Sequence, residues 1–109
     1  MTVYIKIKSL AKRKPLIDNT PFETTGAVAI SDDLVEQIVR KMVRDYNAKP
    51  DKNHQDEEAA VKNALTCFSD GIFRLFINDG EIGANSPISL KENDSITFIR
   101  LTMLTGLLW

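Results

Sequence analysis

The sequence predicts an α+β domain: a mixed sheet of four to five strands, one long helix across it and a second helix inserted. Three observations carry that expectation. Thr2 to Lys8 alternates polar with apolar residues. Leu34, Val35, Ile38, Val39, Met42, Val43 and Tyr46 repeat at helical spacing, and the chain after Gly71 is made of β-forming runs divided by turn residues. A period of two marks a strand with one wet face, and a period near 3.6 marks a helix with one apolar stripe.

In the first strand Val3, Ile5 and Ile7 form the buried side, and Tyr4, Lys6 and Lys8 the solvated one. From Ser9 to Thr20 a polar loop is expected, because Lys12, Arg13, Lys14 and Pro15 end regular pairing. Pro21 to Ile30, rich in Thr, Val, Ile and Phe, reads as a second strand antiparallel to the first, with Gly26 marking a bulge. The long helix follows. Ser31 or Asp32 can cap its free N–H groups, and Asp32 and Asp33 lie where the helix dipole favours negative charge. Lys41 and Arg44 lie near the opposite pole, and Asn47 and Pro50 stop the helix.

After a polar loop at 48–55, a second helix is expected from Asp56 to Ser69, with Val61, Ala64, Leu65 and Phe68 as its stripe. Glu57 and Glu58 fill its first turn, and Gly71 is placed to end it. Ile72 to Ile77 reads as a strand buried on both faces. Asn78-Asp79-Gly80 is a tight-turn signature in which Gly80 would take the positive φ. An extended piece at Ile82, a turn from Ala84 to Pro87, a short strand at Ile88 to Leu90 and a turn from Lys91 to Asp94 come next. Ser95 to Met103 is the last strand. The leading strands can bury their apolar side only against the long helix, and the sheet closes only if late strands return beside the first.

A chain of 109 residues fits one domain, residues 1–109, and its 43% hydrophobic share is enough for a packed core. A net charge of -1 excludes a protein devoted to coating nucleic acid. Cys67 is the only cysteine, which rules out an internal disulfide and a Cys-rich zinc site. The opening MTVYIKIKSLAKRK lacks the apolar core of a secretory signal, and no apolar run approaches membrane-spanning length. The expectation is a cytoplasmic protein with no membrane contact.

The element order resembles the β-grasp, or ubiquitin-like, fold: a hairpin, a helix across the sheet, then further strands. Its final third is similar to the sulfur-carrier proteins of thiamine and molybdopterin synthesis, through Asn78-Asp79-Gly80-Glu81, Pro87-Ile88-Ser89-Leu90, Asn93-Asp94 and Ile96-Thr97-Phe98. The resemblance implies a carrier or modifier acting through a terminal Gly-Gly, thin enough to thread an activating enzyme. This chain instead ends Leu104-Thr105-Gly106-Leu107-Leu108-Trp109, so carrier chemistry would require C-terminal processing.

No glycine-rich phosphate loop, nucleophile elbow or paired metal-ligand motif is present, so neither catalysis nor a cofactor is expected. His54 reads as a solvated loop residue, Cys67 as a partly buried inert thiol, and Asp56, Glu57 and Glu58 as helix-capping acids. Tyr4, Lys6, Lys8, Lys12, Arg13 and Lys14 form the one basic concentration, a possible anion or RNA contact but more simply a device that keeps an exposed strand soluble. Met103, Leu104, Leu107, Leu108 and Trp109 are too apolar to dangle in water; they either fold over the domain's own core or dock into a partner. The expected role is a protein-interaction module or small subunit of a bacterial-type assembly, binding another protein or itself through the sheet face and the C-terminal segment. Nucleic acid is the less favoured partner. Deleting Leu107 to Trp109 should either lower the melting temperature or abolish assembly of a folded chain. Calorimetry and sedimentation of the truncated form separate the two, and a deletion that changes neither shows the segment to be idle.

Overall fold

Alternation in the first strand decides which side of the sheet becomes the interior. In the computed structural model, which describes residues 1–9, 17–26, 28–50 and 54–100, Val3, Ile5 and Ile7 are buried while Tyr4, Lys6 and Lys8 retain solvent contact. The elements run β1 (Thr2–Ser9), β2 (Ile17–Glu23), α1 (Ser31–Asn47), α2 (Glu57–Ser69), β3 (Phe73–Ile77), β4 (Gly80–Ile82) and β5 (Ser95–Arg100). The five strands form one sheet in the order β2-β1-β5-β3-β4. β1 pairs antiparallel with β2 and parallel with β5, whereas β3 pairs antiparallel with both β5 and β4, so the sheet is mixed.

One core joins the sheet to both helices. Leu34, Val35, Ile38, Val39 and Val43 of α1 and Val61, Ala64 and Phe68 of α2 share it with Val3, Ile5, Ile7, Phe22, Phe73, Leu75, Ile96 and Phe98. Phe68 stacks on Phe73 with ring centres 5.2 Å apart, and Phe98 meets Phe73 edge-on at 5.8 Å. Such pairs add roughly 0.5–1.5 kcal/mol beyond the area they bury. Asn47, the last residue of α1, turns the chain toward α2: its side chain donates to the Gln55 carbonyl at 2.9 Å and accepts the Gln55 N–H at 2.7 Å.

The start of α1 departs from the local reading. Neither Ser31 nor Asp32 caps it; Ile30 holds the N-cap position, and the Asp33 carboxylate accepts the N–H groups of Ile30 and Ala29. Ser31 is fully buried instead. Its Oγ donates to the Gly83 carbonyl at 2.8 Å and accepts the Ser86 N–H at 3.1 Å, while Asp32 accepts the Asn85 N–H at 2.9 Å. The Ser31 N–H to Ser86 and the Ile88 N–H to Ala29 bonds complete the seam between segment 83–88 and the head of α1. A distant loop thus supplies, in the Ser86 carbonyl, an acceptor for the first N–H of α1, while the Asp33 N–H bonds to the Ile30 carbonyl.

Other elements shift for stated reasons. β2 lies seven residues long at Ile17–Glu23, inside the segment read as a loop, and ends before Gly26. It tolerates Pro21 because it is an edge strand, where a missing N–H breaks no ladder. Gly26, at φ 64, makes a bend beyond the strand; the irregular register lies instead between Ile5 and Ile7, opposite a segment where Asn19 has φ 50. β3 is not buried on both sides, since Arg74 is exposed between Phe73 and Leu75. In the β3–β4 turn Asn78 takes the positive φ of 55, and Gly80 opens β4. No strand forms at 88–90; Pro87 makes a single bridge to Ile30, and Ile88 and Leu90 pack on the core from the loop. β5 is described to Arg100, and the expected strand residues 101–103 lie outside the described residues.

Beyond β2 the outer margin is closed by a side chain. Gln37 of α1 accepts the Thr25 N–H at 3.0 Å and donates to the Thr25 carbonyl at 2.6 Å, standing in for a neighbouring strand.

Replacing Ser31 with alanine should cost about 1–3 kcal/mol, because it leaves the Gly83 carbonyl and the Ser86 N–H without their buried partner. Urea unfolding is the check: the midpoint should fall with the slope unchanged, and an unshifted midpoint would show that the seam contributes nothing.

Candidate functional site

Even-numbered residues of β1 point away from the helices, and strand register carries that outer face across the sheet. One row runs Lys6, Thr97, Phe76, Glu81 over β1, β5, β3 and β4. A second runs Lys8, Ile99, Arg74, and a third pairs Pro21 and Ser95 with Tyr4 between them. Tyr4, Phe76, Thr97 and Ile99 are half-buried and none belongs to the core cluster, which holds the helices' apolar faces. Ion pairs border them: Lys6 lies 3.5 Å from Asp18, and Arg74 lies 3.1 Å from Glu81. The result is an aromatic and aliphatic patch in a rim of paired and unpaired charge.

Of the basic residues singled out from sequence, Tyr4, Lys6 and Lys8 come together on this face, whereas Lys12, Arg13 and Lys14 lie outside the described residues. So do Met103, Leu104, Leu107, Leu108 and Trp109. Phe76, Ile99 and Arg74 were missed as surface residues. Their signal was the parity of Ser95–Arg100, and reading β3 as buried on both faces hid it.

His54 is exposed. Cys67 is half-buried, with Sγ 4.0 Å from Asn63 Oδ1, and burial together with the nearby Asp70 charge pushes its thiol pKa up, away from a reactive thiolate. Among the described residues, no three His, Cys, Asp or Glu side chains are grouped to hold a metal ion. An apolar groove between β2 and α1, lined by Ile5, Pro21, Phe22, Ile38 and Met42, encloses about 90 Å³. No helix among the described residues is long and apolar enough to cross a membrane.

The acids at the start of α2 do more than satisfy its dipole. Asp56 caps the helix by accepting the Ala59 N–H at 3.1 Å. Glu57 and Glu58 reach Arg40 of α1 at 3.0 and 2.6 Å, Glu57 also takes Arg44 at 3.0 Å, and Glu36 holds Arg40 at 2.9 Å from within its own helix. This cluster clasps the helices on the side opposite the open face. Hydrogen bonds from Arg40 hold the Glu57 and Glu58 carboxyls below the ordinary glutamate range, and Arg44 reinforces the effect on Glu57.

Comparison with known proteins finds no matching family model, no matching curated protein and no matching solved structure.

The lowered Glu57 and Glu58 pKa values fix a sign. The unfolded chain binds these protons first as pH falls, so the clasp's stabilisation is present above the unfolded glutamate pKa of ~4.3 and is lost as pH drops through the lower folded value. Glu57→Gln should therefore melt below wild type at neutral pH, with the gap closing toward pH ~3. A gap that stays constant with pH, measured by calorimetry, would detach the clasp from Glu57 ionisation.

Proposed function

We propose that this chain is a β-grasp-type domain that serves as a non-catalytic protein-interaction module, or as the small subunit of an assembly, and that it contacts its partner through the open face of the sheet. The hairpin of β1 and β2, the helix that follows and the return of β5 beside β1 support the fold assignment. The functional reading rests on one observation: Tyr4, Phe76, Thr97 and Ile99 stand in three adjacent rows on the face that neither helix covers. Aromatic and branched apolar side chains inside a charged rim are the composition of a contact patch, with the apolar centre supplying affinity and the rim steering approach.

Rigid strands hold every one of these side chains, so binding orders little that is not already ordered. Lys6, Lys8 and Arg74 are matched in number on this face by Asp18, Glu23 and Glu81, so the rim carries both signs. Nucleic acid is less well suited, because the aromatic content is only Tyr4 and Phe76, in adjacent rows but two strands apart, and the chain as a whole is not basic.

The test is a pull-down from the source cell with wild type and a Phe76→Thr/Ile99→Thr variant, in which threonine keeps strand propensity. Each truncation should cost more than ~1 kcal/mol of binding, enough to strip a specific protein from the variant. Lys62→Ser on α2 serves as the control and should retain the partner. Equal retention by both chains sinks the reading, and capture that vanishes with nuclease assigns the face to RNA instead.

A further inference from the structure

Arg100 closes β5 at only 4% exposure, and neither its Nε nor its Nη1 has a hydrogen-bond partner. Register places it between Ser9 of β1 and Phe73 of β3, where three strands reach one rim of the sheet. It shares parity with the buried Ile96 and Phe98, so its side chain leaves the sheet on the helix side. The other described arginines behave differently. Arg40, Arg44 and Arg74 each hold a carboxylate. On Arg100 the one influence is burial, which draws its pKa down, and no acid among the described residues offsets it.

A guanidinium does not give up its proton in a protein, so Arg100 cannot escape by neutralising itself. An ion kept from water without a counter-charge is strongly destabilising, and the other buried side-chain N and O atoms among the described residues are matched, as at Ser31. We infer that Arg100 is the receptor for an oxyanion, a carboxylate or a phosphate, presented at the rim where β1, β5 and β3 end. The planar N–H array of arginine suits both groups, and low dielectric strengthens the pairing. The site lies on the opposite side of the sheet from Phe76 and Ile99, so it stands or falls apart from the open-face reading.

The experiment uses the full chain with the ¹⁵N-labelled Arg100 Nε–H as reporter. Sodium acetate and sodium phosphate are titrated against sodium chloride at constant ionic strength, for wild type, Arg100→Met and Arg100→Lys. Acetate or phosphate should shift the Arg100 resonance saturably and raise the wild-type melting temperature by a few degrees over chloride. Arg100→Met should lose that rise and, in chloride, melt above wild type, since an apolar chain replaces an unmatched buried ion. Arg100→Lys should keep a weakened rise, having the charge without the planar array. A stronger response to acetate assigns the site to a peptide carboxylate, and a stronger response to phosphate to a phosphorylated group. A resonance indifferent to both anions overturns the inference. So does an Arg100→Met chain less stable than wild type, because it would mean that the charge is already matched within the protein.

Discussion

The parallel pairing of β1 with β5 is the constraint on which the remaining architecture depends. Parallel neighbours cannot be joined by a tight turn, so the chain must make a long excursion before β5 can return beside β1. α1 and α2 occupy that excursion, and the sheet's inner face gives both helices somewhere to put their apolar sides. Tyr4 N–H to the Asp94 carbonyl and Asn93 N–H to the Thr2 carbonyl fasten the arriving strand at its first residues. Completing the sheet therefore requires residues from both ends of the described chain to meet, a non-local demand that slows folding relative to a helical bundle of equal size.

With both helices committed to one side, the two sides of the sheet are given different work. The inner side is dry and close-packed around Phe73, Phe98 and the α1 stripe. The outer side keeps half-buried aromatic and aliphatic groups bordered by Lys6–Asp18 and Arg74–Glu81. The clasp centred on Arg40 sits away from that outer side, so charge used to hold the helices together is not drawn from the charge available for contact.

Periodicity made the larger features legible in the sequence. The body of α1 was readable because seven apolar positions kept step from Leu34 to Tyr46, and α2 because Asp56 and Gly71 mark its two limits. What escaped was decided by distant partners. Ile17–Glu23 pairs as a strand because β1 offers it a ladder, a force that outweighs the turn-forming character of Asp18 and Asn19. Ser31 looked like a local cap and became a buried tie to Gly83 and Ser86, residues more than fifty positions away. On the outer face, Tyr4, Lys6 and Lys8 were visible from alternation alone, while Phe76 and Ile99 required knowing which strand lies beside which. Arg100 stood inside the strand expected to run to Met103, and its parity with Ile96 and Phe98 did not by itself say that a charge would share their buried side.

Gln37 illustrates how much one amide can decide. It occupies both hydrogen-bonding groups of Thr25, two residues past the end of β2, a strand in which Asn19 takes a positive φ and Pro21 offers no donor. β4, at three residues, offers scarcely more on the far margin. Stacking of one copy onto the next through main-chain ladders is thereby discouraged. Contact through the proposed face would then fall to side chains, the part of the molecule that substitution can retune without rebuilding the scaffold.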